Sequence, residues 1–419
     1  MLPALPPTAT NSTTSGHPSF SAVVVYNSPM SENVAMAANV QQGPTRKYIC
    51  CVPVEAKENT VTLGSVYGAV VKLLKARGWR SLKRTTQRPG SADLILGGPC
   101  GAGIPWKALR VHRTAGTPPL TSFYRSFEQI CRKGLLARTL RKNGGPENTP
   151  NWFPTSYIVA PGREEADEER ALLRAAHVQR GGDHQAVWIL KPSDGGKGAN
   201  IKVMDTLANI EAHFDALEAG SIAWVASEYI KKPLLLQPGS RKFDVRIWAL
   251  LDANYDVHVW NNGVLRTCSV PFTLDSKSLN DPFVHLSNHC IQTRSETYGK
   301  HESATNEVWL KDFDVYLKQH HNSSVEALAA QWRSIIKETL DAAREFMEVD
   351  KFEPPYNCFQ VFGFDFMVDS ALKVWLVEVN SSPAIAEALA DEFARDVVSV
   401  AVDSYLGEEC GETAFVRVE

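Results

Sequence analysis

No Cys-x-x-Cys pair occurs in this sequence. Its eight cysteines are scattered at 50, 51, 100, 131, 268, 290, 358 and 410, without the spacing that zinc sites and redox motifs use. They read as reduced thiols of a cytosolic protein. No stretch approaches the roughly 18 to 20 consecutive apolar residues of a membrane-spanning helix, so no membrane partner is expected. The first 45 residues hold one charged side chain, Glu32, and so lack the basic start of a secretory signal and the arginines of a mitochondrial presequence. The Gly-x-x-x-x-Gly-Lys-Ser/Thr spacing of a P-loop is also absent. The expected location is the cytoplasm.

The composition, 44% hydrophobic, 22% charged and 9% aromatic over 419 residues, is that of an ordinary globular chain with room for two or three domains. The net charge of -3 is unevenly spread: between Lys72 and Lys142 sixteen Lys or Arg stand against two acids, Asp93 and Glu128. Such a block fits an acidic partner or a solvated basic face. No nucleic-acid module accompanies it, so nucleic acid is not expected.

Residues 1–46 are rich in Ser, Thr, Ala, Pro and Asn without periodicity and are expected to be disordered. From Tyr48 a strand, a helix ending at Gly78 and a strand at 93–96 suggest a small α/β unit. Phe123 to Arg141 reads as one basic helix, and 164–174 as an exposed helix or an insertion. Strands are expected at 187–190, 224–230, 244–251, 257–260, 362–368 and 374–379. The segments Asp252-Ala-Asn-Tyr255 and Asp369-Ser-Ala-Leu372 read as hairpin turns. A helix over 325–349 carries a stripe of Leu328, Trp332, Ile335, Ile336 and Leu340.

Three constellations carry chemistry. In Trp188-Ile-Leu-Lys191-Pro-Ser-Asp-Gly195-Gly196-Lys197-Gly198 a strand delivers a lysine into a glycine-rich turn, which suits phosphate oxygens but also suits a plain loop. In Arg241-Lys242-Phe-Asp244-Val-Arg246-Ile-Trp248 the period of two puts Lys242, Asp244 and Arg246 on one face. That face is either a site or a half-exposed surface whose charges cancel. In the third, Asp365 lies across a turn from Glu378 and Asn380, which share a face. Three such oxygen ligands suit magnesium, and acids within apolar strands are costly to bury unless paired or metal-bound.

Together these segments resemble the tubulin tyrosine ligase family, whose catalytic half is of the ATP-grasp type. Further segments in the same order carry the likeness: Tyr229-Ile-Lys-Lys-Pro233-Leu-Leu-Leu236, Gly263-Val-Leu-Arg266-Thr267, His285-Leu-Ser-Asn288-His289-Cys-Ile-Gln292 and Val377-Glu-Val-Asn380-Ser-Ser-Pro383-Ala. The resemblance runs from about Tyr48 to near residue 408. Its N-terminal segments, Trp79-Arg-Ser-Leu-Lys-Arg and Cys131-Arg-Lys-Gly-Leu, look like tyrosine ligase proper.

The resemblance implies an α+β fold, with an ATP-grasp-like catalytic region, a large, mostly antiparallel C-terminal sheet and a small N-terminal α/β domain. The implied domains are a disordered extension at 1–46, a basic tubulin-docking domain at 47–115, a central ATP-grasp domain at 116–229, a C-terminal catalytic domain at 230–408 and a tail at 409–419. It implies ATP and Mg2+ as cofactors, with K+ beside them. The partners would be free tyrosine and the C-terminal tail of alpha-tubulin, for a monomer on the cytoskeleton. The implied reaction joins tyrosine to the terminal glutamate of detyrosinated alpha-tubulin through an acyl phosphate.

By the same resemblance Lys191, Lys197 and Lys242 serve the ATP phosphates, while Asp365, Glu378 and Asn380 hold magnesium. Arg246 and Arg266 bind carboxylate and acyl-phosphate oxygens. Asn288 and His285 line the cleft, and Asp244 contacts ribose or orients its neighbours. The segment Glu228-Tyr229-Ile230 offers backbone groups to adenine. The chain departs from the family where Ser227 and Glu228 replace the usual Gln-Lys and where Ala199-Asn200 ends the phosphate loop. A tubulin glutamylase or glycylase on the same scaffold, or a non-catalytic tubulin-binding relative, remains open. Reversing the charges of Arg80, Lys83, Arg84 and Arg88 is expected to raise KM for tubulin and leave KM for ATP unchanged in steady-state kinetics. Equal changes in both constants would refute a docking role.

Overall fold

Two aspartates set the hairpins of the largest sheet. Asp252 Oδ1 accepts the backbone N–H groups of Asn254 and Asp256, each at 2.9 Å, and Asp369 Oδ1 accepts those of Ala371 and Lys373 at 2.9 and 3.0 Å. An aspartate that ties the following N–H groups bends the chain without help from glycine. The strands so joined are Arg241–Leu251 with Val257–Pro271, and Gln360–Val368 with Val374–Asn380. The computed structural model describes residues 45–51, 66–82, 91–107, 109, 118–142, 144–300, 306–349 and 356–419. The expected extension lies almost wholly outside the described residues, as do Lys83, Arg84 and Arg88.

The largest sheet has seven strands. Its main path runs Glu307–Trp309, Val257–Pro271, Arg241–Leu251, Gln360–Val368, Val374–Asn380, antiparallel at every step. A second sheet has the order Ser156–Val159, Trp224–Glu228, Trp188–Pro192, Lys202–Met204 and is also antiparallel. The third is parallel, in the order Asn357–Cys358, Leu120–Thr121, Leu94–Gly97, Lys47–Cys51, Arg80–Ser81. This is the α+β class expected. The parallel sheet takes two strands from beyond residue 115, and Thr45–Glu419 forms one compact unit.

Two expected elements differ in instructive ways. The strand expected at 257–260 continues to Pro271, through Asn261-Asn262-Gly263, which reads locally as a turn. A Cβ on Gly263 would lie 2.7 Å from the Arg246 carbonyl oxygen, so the glycine marks close strand approach and not a turn. The helix expected over 123–141 is two helices, Glu128–Cys131 and Lys133–Leu140, parted at Arg132, whose backbone is extended. The second starts against the 188–192 strand's exit: Lys133 N–H donates to the Ser193 carbonyl and Gly134 N–H to Ser193 Oγ, both at 3.1 Å. That break turns Lys133 toward the cleft described below.

The long helix, Val325–Met347, is capped by Ser324 Oγ, which accepts from Ala327 N–H. Its expected stripe of Leu328, Trp332, Ile335, Ile336 and Leu340 is buried, at about 1.5–3 kcal/mol for each large aliphatic side chain.

Candidate active site

Strand Arg241–Leu251 is buried at all eleven positions. The half-exposed surface that its alternation also allowed is therefore excluded. The apolar face packs into the main core, and the charged face turns toward an open cleft between the two antiparallel sheets. Lys191, Ser227, Glu228 and Tyr229 line one side, Lys242, Asp244, Asp365 and Glu378 the other, with His285 and Asn288 from the connecting segment.

Sheet register builds the charged floor. Asp365 lies across from Arg246 on one side and Glu378 on the other, and Asp244 across from Arg266. Arg246 donates to both Asp365 oxygens, from Nε to Oδ1 and from Nη2 to Oδ2, the latter at 3.1 Å. Arg266 Nη2 lies 2.9 Å from Asp365 Oδ2, while its Nε donates to Asp244 Oδ1 at 2.7 Å. Ser287 Oγ donates to the other Asp244 oxygen. Burial pushes the Asp365 carboxyl up, but Arg246 and Arg266 outweigh it and hold it well below the usual carboxylate range. Asp244, with one guanidinium, stays raised by its burial.

A second chain of bonds has a fixed direction. His285 Nε2 lies 3.0 Å from the Ser278 carbonyl, which only accepts, so Nε2 carries the hydrogen. Nδ1 then accepts from Tyr229 Oη at 2.8 Å, and Tyr229 Oη accepts from Lys242 Nζ at 3.1 Å. Lys242 also donates to the His285 carbonyl at 2.8 Å. Burial, with Lys242 nearby, pushes the His285 imidazole down to about 4, so it is neutral in this role. Lys242 thus lines the cleft with two of its three donors already engaged.

Lys191 is mostly buried at the wall of the cleft, and its ammonium makes no hydrogen bond among the described residues. Burial pushes its ammonium down to about 8, Glu378 raises it, and Lys133 and Lys242 lower it further. Lys133 is the residue that motif reading missed. Its Nζ donates to the Gly195 carbonyl at 2.7 Å and lies 3.3 Å from Glu378 Oε2. It sits just after the helix break, which local periodicity does not show. A lysine directly before the small residue that packs on Ser193 is the only available signal.

The other expected residues fall as follows. Gly195, Gly198 and Ala199 line the cleft, but Lys197 is exposed and outside the lining. Lys197 and Asn200 have positive φ, at 57° and 59°, and asparagine adopts that region readily. Arg246 and Arg266 stand behind Asp365, and Arg266 lines an adjoining pocket of about 170 Å³ with His289, Tyr298 and Glu307. The N–H groups of Glu228 and Tyr229 donate to the Thr155 and Val187 carbonyls and so are not offered to a base. Arg80 is exposed on the edge strand of the parallel sheet.

Residues 119–409 match the model described as the tubulin-tyrosine ligase family. The chain belongs to this family. It is 28% identical over 300 residues to tubulin polyglutamylase ttll-5 of Caenorhabditis elegans, covering 68% of this chain and 39% of that protein. It is 29% identical over 230 residues to tubulin glycylase 3C of Tetrahymena thermophila, covering 52% and 20%. The probable alpha-tubulin polyglutamylase Ttll1 of Tetrahymena thermophila matches at 27% over 245 residues, covering 54% and 57%. The chain thus spans less than two thirds of each relative's length. The family span contains every cleft residue named above and begins inside the basic block that runs from Lys72 to Lys142.

The donor set fits a magnesium ion of the kind the family resemblance implies. Glu378 and Asp365 bring carboxylates to one point, and Asn380 Nδ2 lies 3.2 Å from Asp365 Oδ2 and 3.4 Å from Glu378 Oε1. Turning that amide brings its oxygen to the same point. Among the described residues no group of three His, Cys, Asp or Glu gathers around one point, so the set is two carboxylates and an amide. That leaves several positions for water and phosphate, as magnesium prefers.

Asp365→Asn is expected to cost about 3–5 kcal/mol in denaturant unfolding, because buried Arg246 loses its counter-charge and buried Arg266 keeps only Asp244. The depressed Asp365 group stabilises the fold fully above its unfolded value of about 3.9, and that contribution fades as pH falls toward the folded value. Wild-type stability should therefore drop between about pH 5 and 2 more steeply than that of the variant. Equal stability of the two proteins at pH 7 would exclude this role.

Proposed function

We propose that the chain is an ATP-dependent carboxylate-amine ligase that joins glutamate to a carboxylate of tubulin. One observation carries the reading: Lys133, Lys191 and Lys242 share a cleft with the oxygen set of Asp365, Glu378 and Asn380. Polyphosphate and its cation need that pairing. The tubulin substrate and glutamate are supported by the names of two relatives, both polyglutamylases. Glycine is the second reading, favoured by the glycylase relative. Tyrosine, expected from the N-terminal segments, has no counterpart among the three relatives named. A tubulin substrate would put the protein in the cytoplasm on the cytoskeleton.

When bound, ATP and magnesium supply the phosphoryl group and the charge neutralisation that convert a carboxylate, a poor electrophile, into an acyl phosphate open to an amine. The chain's own residues bind and orient. Lys133 and Lys191 bring charge to the phosphates from two elements, and Lys242 is held ready by Tyr229 and His285. Glu378 leads the cation set, since Asp365 is already bound by two arginines. Arg246 and Arg266 stand behind Asp365 and hold its carboxylate in place; they would meet carboxylate or acyl-phosphate oxygens only where a ligand reaches past Asp365. The apolar end, with Ile189, Ile201, Leu286, Met367 and Leu376, excludes water and would grip the base.

The deciding experiment supplies tubulin, ATP and magnesium with labelled glutamate, glycine or tyrosine in parallel, with Glu378→Gln as control. Glutamate incorporation that the control loses supports the proposal. Glycine or tyrosine incorporation alone reassigns the amino acid, and none at all refutes ligase activity on tubulin.

The Lys191 ammonium is charged below about 8. ATP affinity should hold steady below that pH and weaken above it, by up to about tenfold per unit. In Lys191→Arg the profile should flatten, because a guanidinium keeps its charge. Parallel profiles from equilibrium binding would remove Lys191 from phosphate binding.

A further inference from the structure

Lys133 bridges the two walls of the cleft. Its Nζ donates to the Gly195 carbonyl on the glycine-rich turn at 2.7 Å and lies 3.3 Å from Glu378 Oε2 on the largest sheet. Its own backbone is tied to the same turn, since Lys133 N–H donates to the Ser193 carbonyl and Gly134 N–H to Ser193 Oγ. The stem of Lys133 is thus positioned by backbone contacts that do not involve its charge.

Glu378 has one negative charge and several claimants. Oε2 faces Lys133, while Oε1 lies 3.4 Å from Asn380 Nδ2, on the side where Asp365 completes the oxygen set. The Lys191 ammonium also feels this carboxylate, which raises it while Lys133 lowers it. Asp365 does not make up the difference, because Arg246 and Arg266 already take its charge. A divalent cation on Oε1 would share that one carboxylate with the Lys133 ammonium on Oε2. Two like charges so close together, in a cleft partly shielded from water, weaken each other's binding. A polyphosphate reverses the balance, since it brings negative charge for both the cation and the ammonium.

We infer that Lys133 makes the cation and the nucleotide enter as a pair: it opposes a bare divalent cation at Glu378 and yields that carboxylate when phosphate oxygens arrive to take its ammonium. Lys133 is in this sense a positioning residue for the cation as well as a phosphate ligand. The inference rests on the ATP reading of the cleft and adds the order in which its charges assemble.

Its test measures Mn2+, a spectroscopic stand-in for magnesium, binding to the full chain by electron paramagnetic resonance without nucleotide. In Lys133→Gln, which removes the charge and keeps a donor, Mn2+ should bind at least about fivefold more tightly than in the wild type. Lys133→Arg keeps the charge and should match the wild type, and Glu378→Gln should lose the ion. General damage to the site would weaken the ion and so move the constant the other way. Mn2+ should also tighten binding of a non-hydrolysable ATP analogue, by a several-fold smaller factor in Lys133→Gln than in the wild type, because linkage is reciprocal. Unchanged or weaker Mn2+ binding in Lys133→Gln, or equal tightening in Lys133→Arg, overturns the inference while the ATP reading stands. So does an absence of Mn2+ binding in every protein that still binds the analogue. Failure of the analogue to bind at all, whatever Mn2+ does, overturns the ATP reading and the paired entry together.

Discussion

The Asp365 carboxylate between Arg246 and Arg266 is the constraint that the rest of the cleft answers to. Its partners come from separate strands, so the pairing exists only when Arg241–Leu251, Val257–Pro271 and Gln360–Val368 are in one register. A slip of one residue would turn every charged side chain to the opposite face. Such a cluster is not an economical way to stabilise a fold, since desolvation costs several kcal/mol per ion and apolar replacement is often neutral or better. Its presence in the floor of the cleft is better explained by the chemistry it preorganises. Gly363 fits this account: a Cβ there would lie 2.7 Å from Pro383 Cβ and 3.3 Å from the Arg246 side chain, so the bare backbone leaves the guanidinium its place.

Around that floor the polar groups divide into those already committed and those held in reserve. Arg246, Arg266, Asp365 and Asp244 neutralise one another in charge. Lys191 has lost most of its solvent without gaining a hydrogen bond among the described residues, and its lowered ammonium pKa expresses that deficit. Lys133 shares Glu378 with no other salt-bridge partner among the described residues. The groups in reserve are thus two lysines and one carboxylate, the complement of a polyphosphate with a cation. An anionic ligand would give the Lys191 ammonium the partner it lacks among the described residues.

Much of this was legible in sequence because it is local. Period-two alternation placed Lys242, Asp244 and Arg246 on one face, and the two aspartate turns marked the hairpins. Asp365, Glu378 and Asn380 could be brought together from the turn length alone. What local patterns could not show was set by distant contacts. Lys133 enters the cleft because Ser193, sixty residues on, captures the start of its helix. The strand through Asn261-Asn262-Gly263 stays extended because Arg246 approaches closely. The charged strand face is buried because a second sheet covers it. Lys197 differs from the rest: its motif is local, its backbone is left-handed, and its side chain is exposed outside the cleft lining.

The two sheets are joined across the cleft by a polar chain with only one consistent hydrogen assignment. Tyr229, just beyond the end of the four-stranded sheet, lies between Lys242 of the large sheet and His285 of the connecting segment. Because the Ser278 carbonyl fixes the His285 tautomer, reversing any one bond would leave a donor facing a donor or an acceptor facing an acceptor. Separating the sheets would strip Lys242 of one of its two partners and Tyr229 Oη of a donor. The contact between the two sheets and the orientation of the Lys242 ammonium therefore depend on each other.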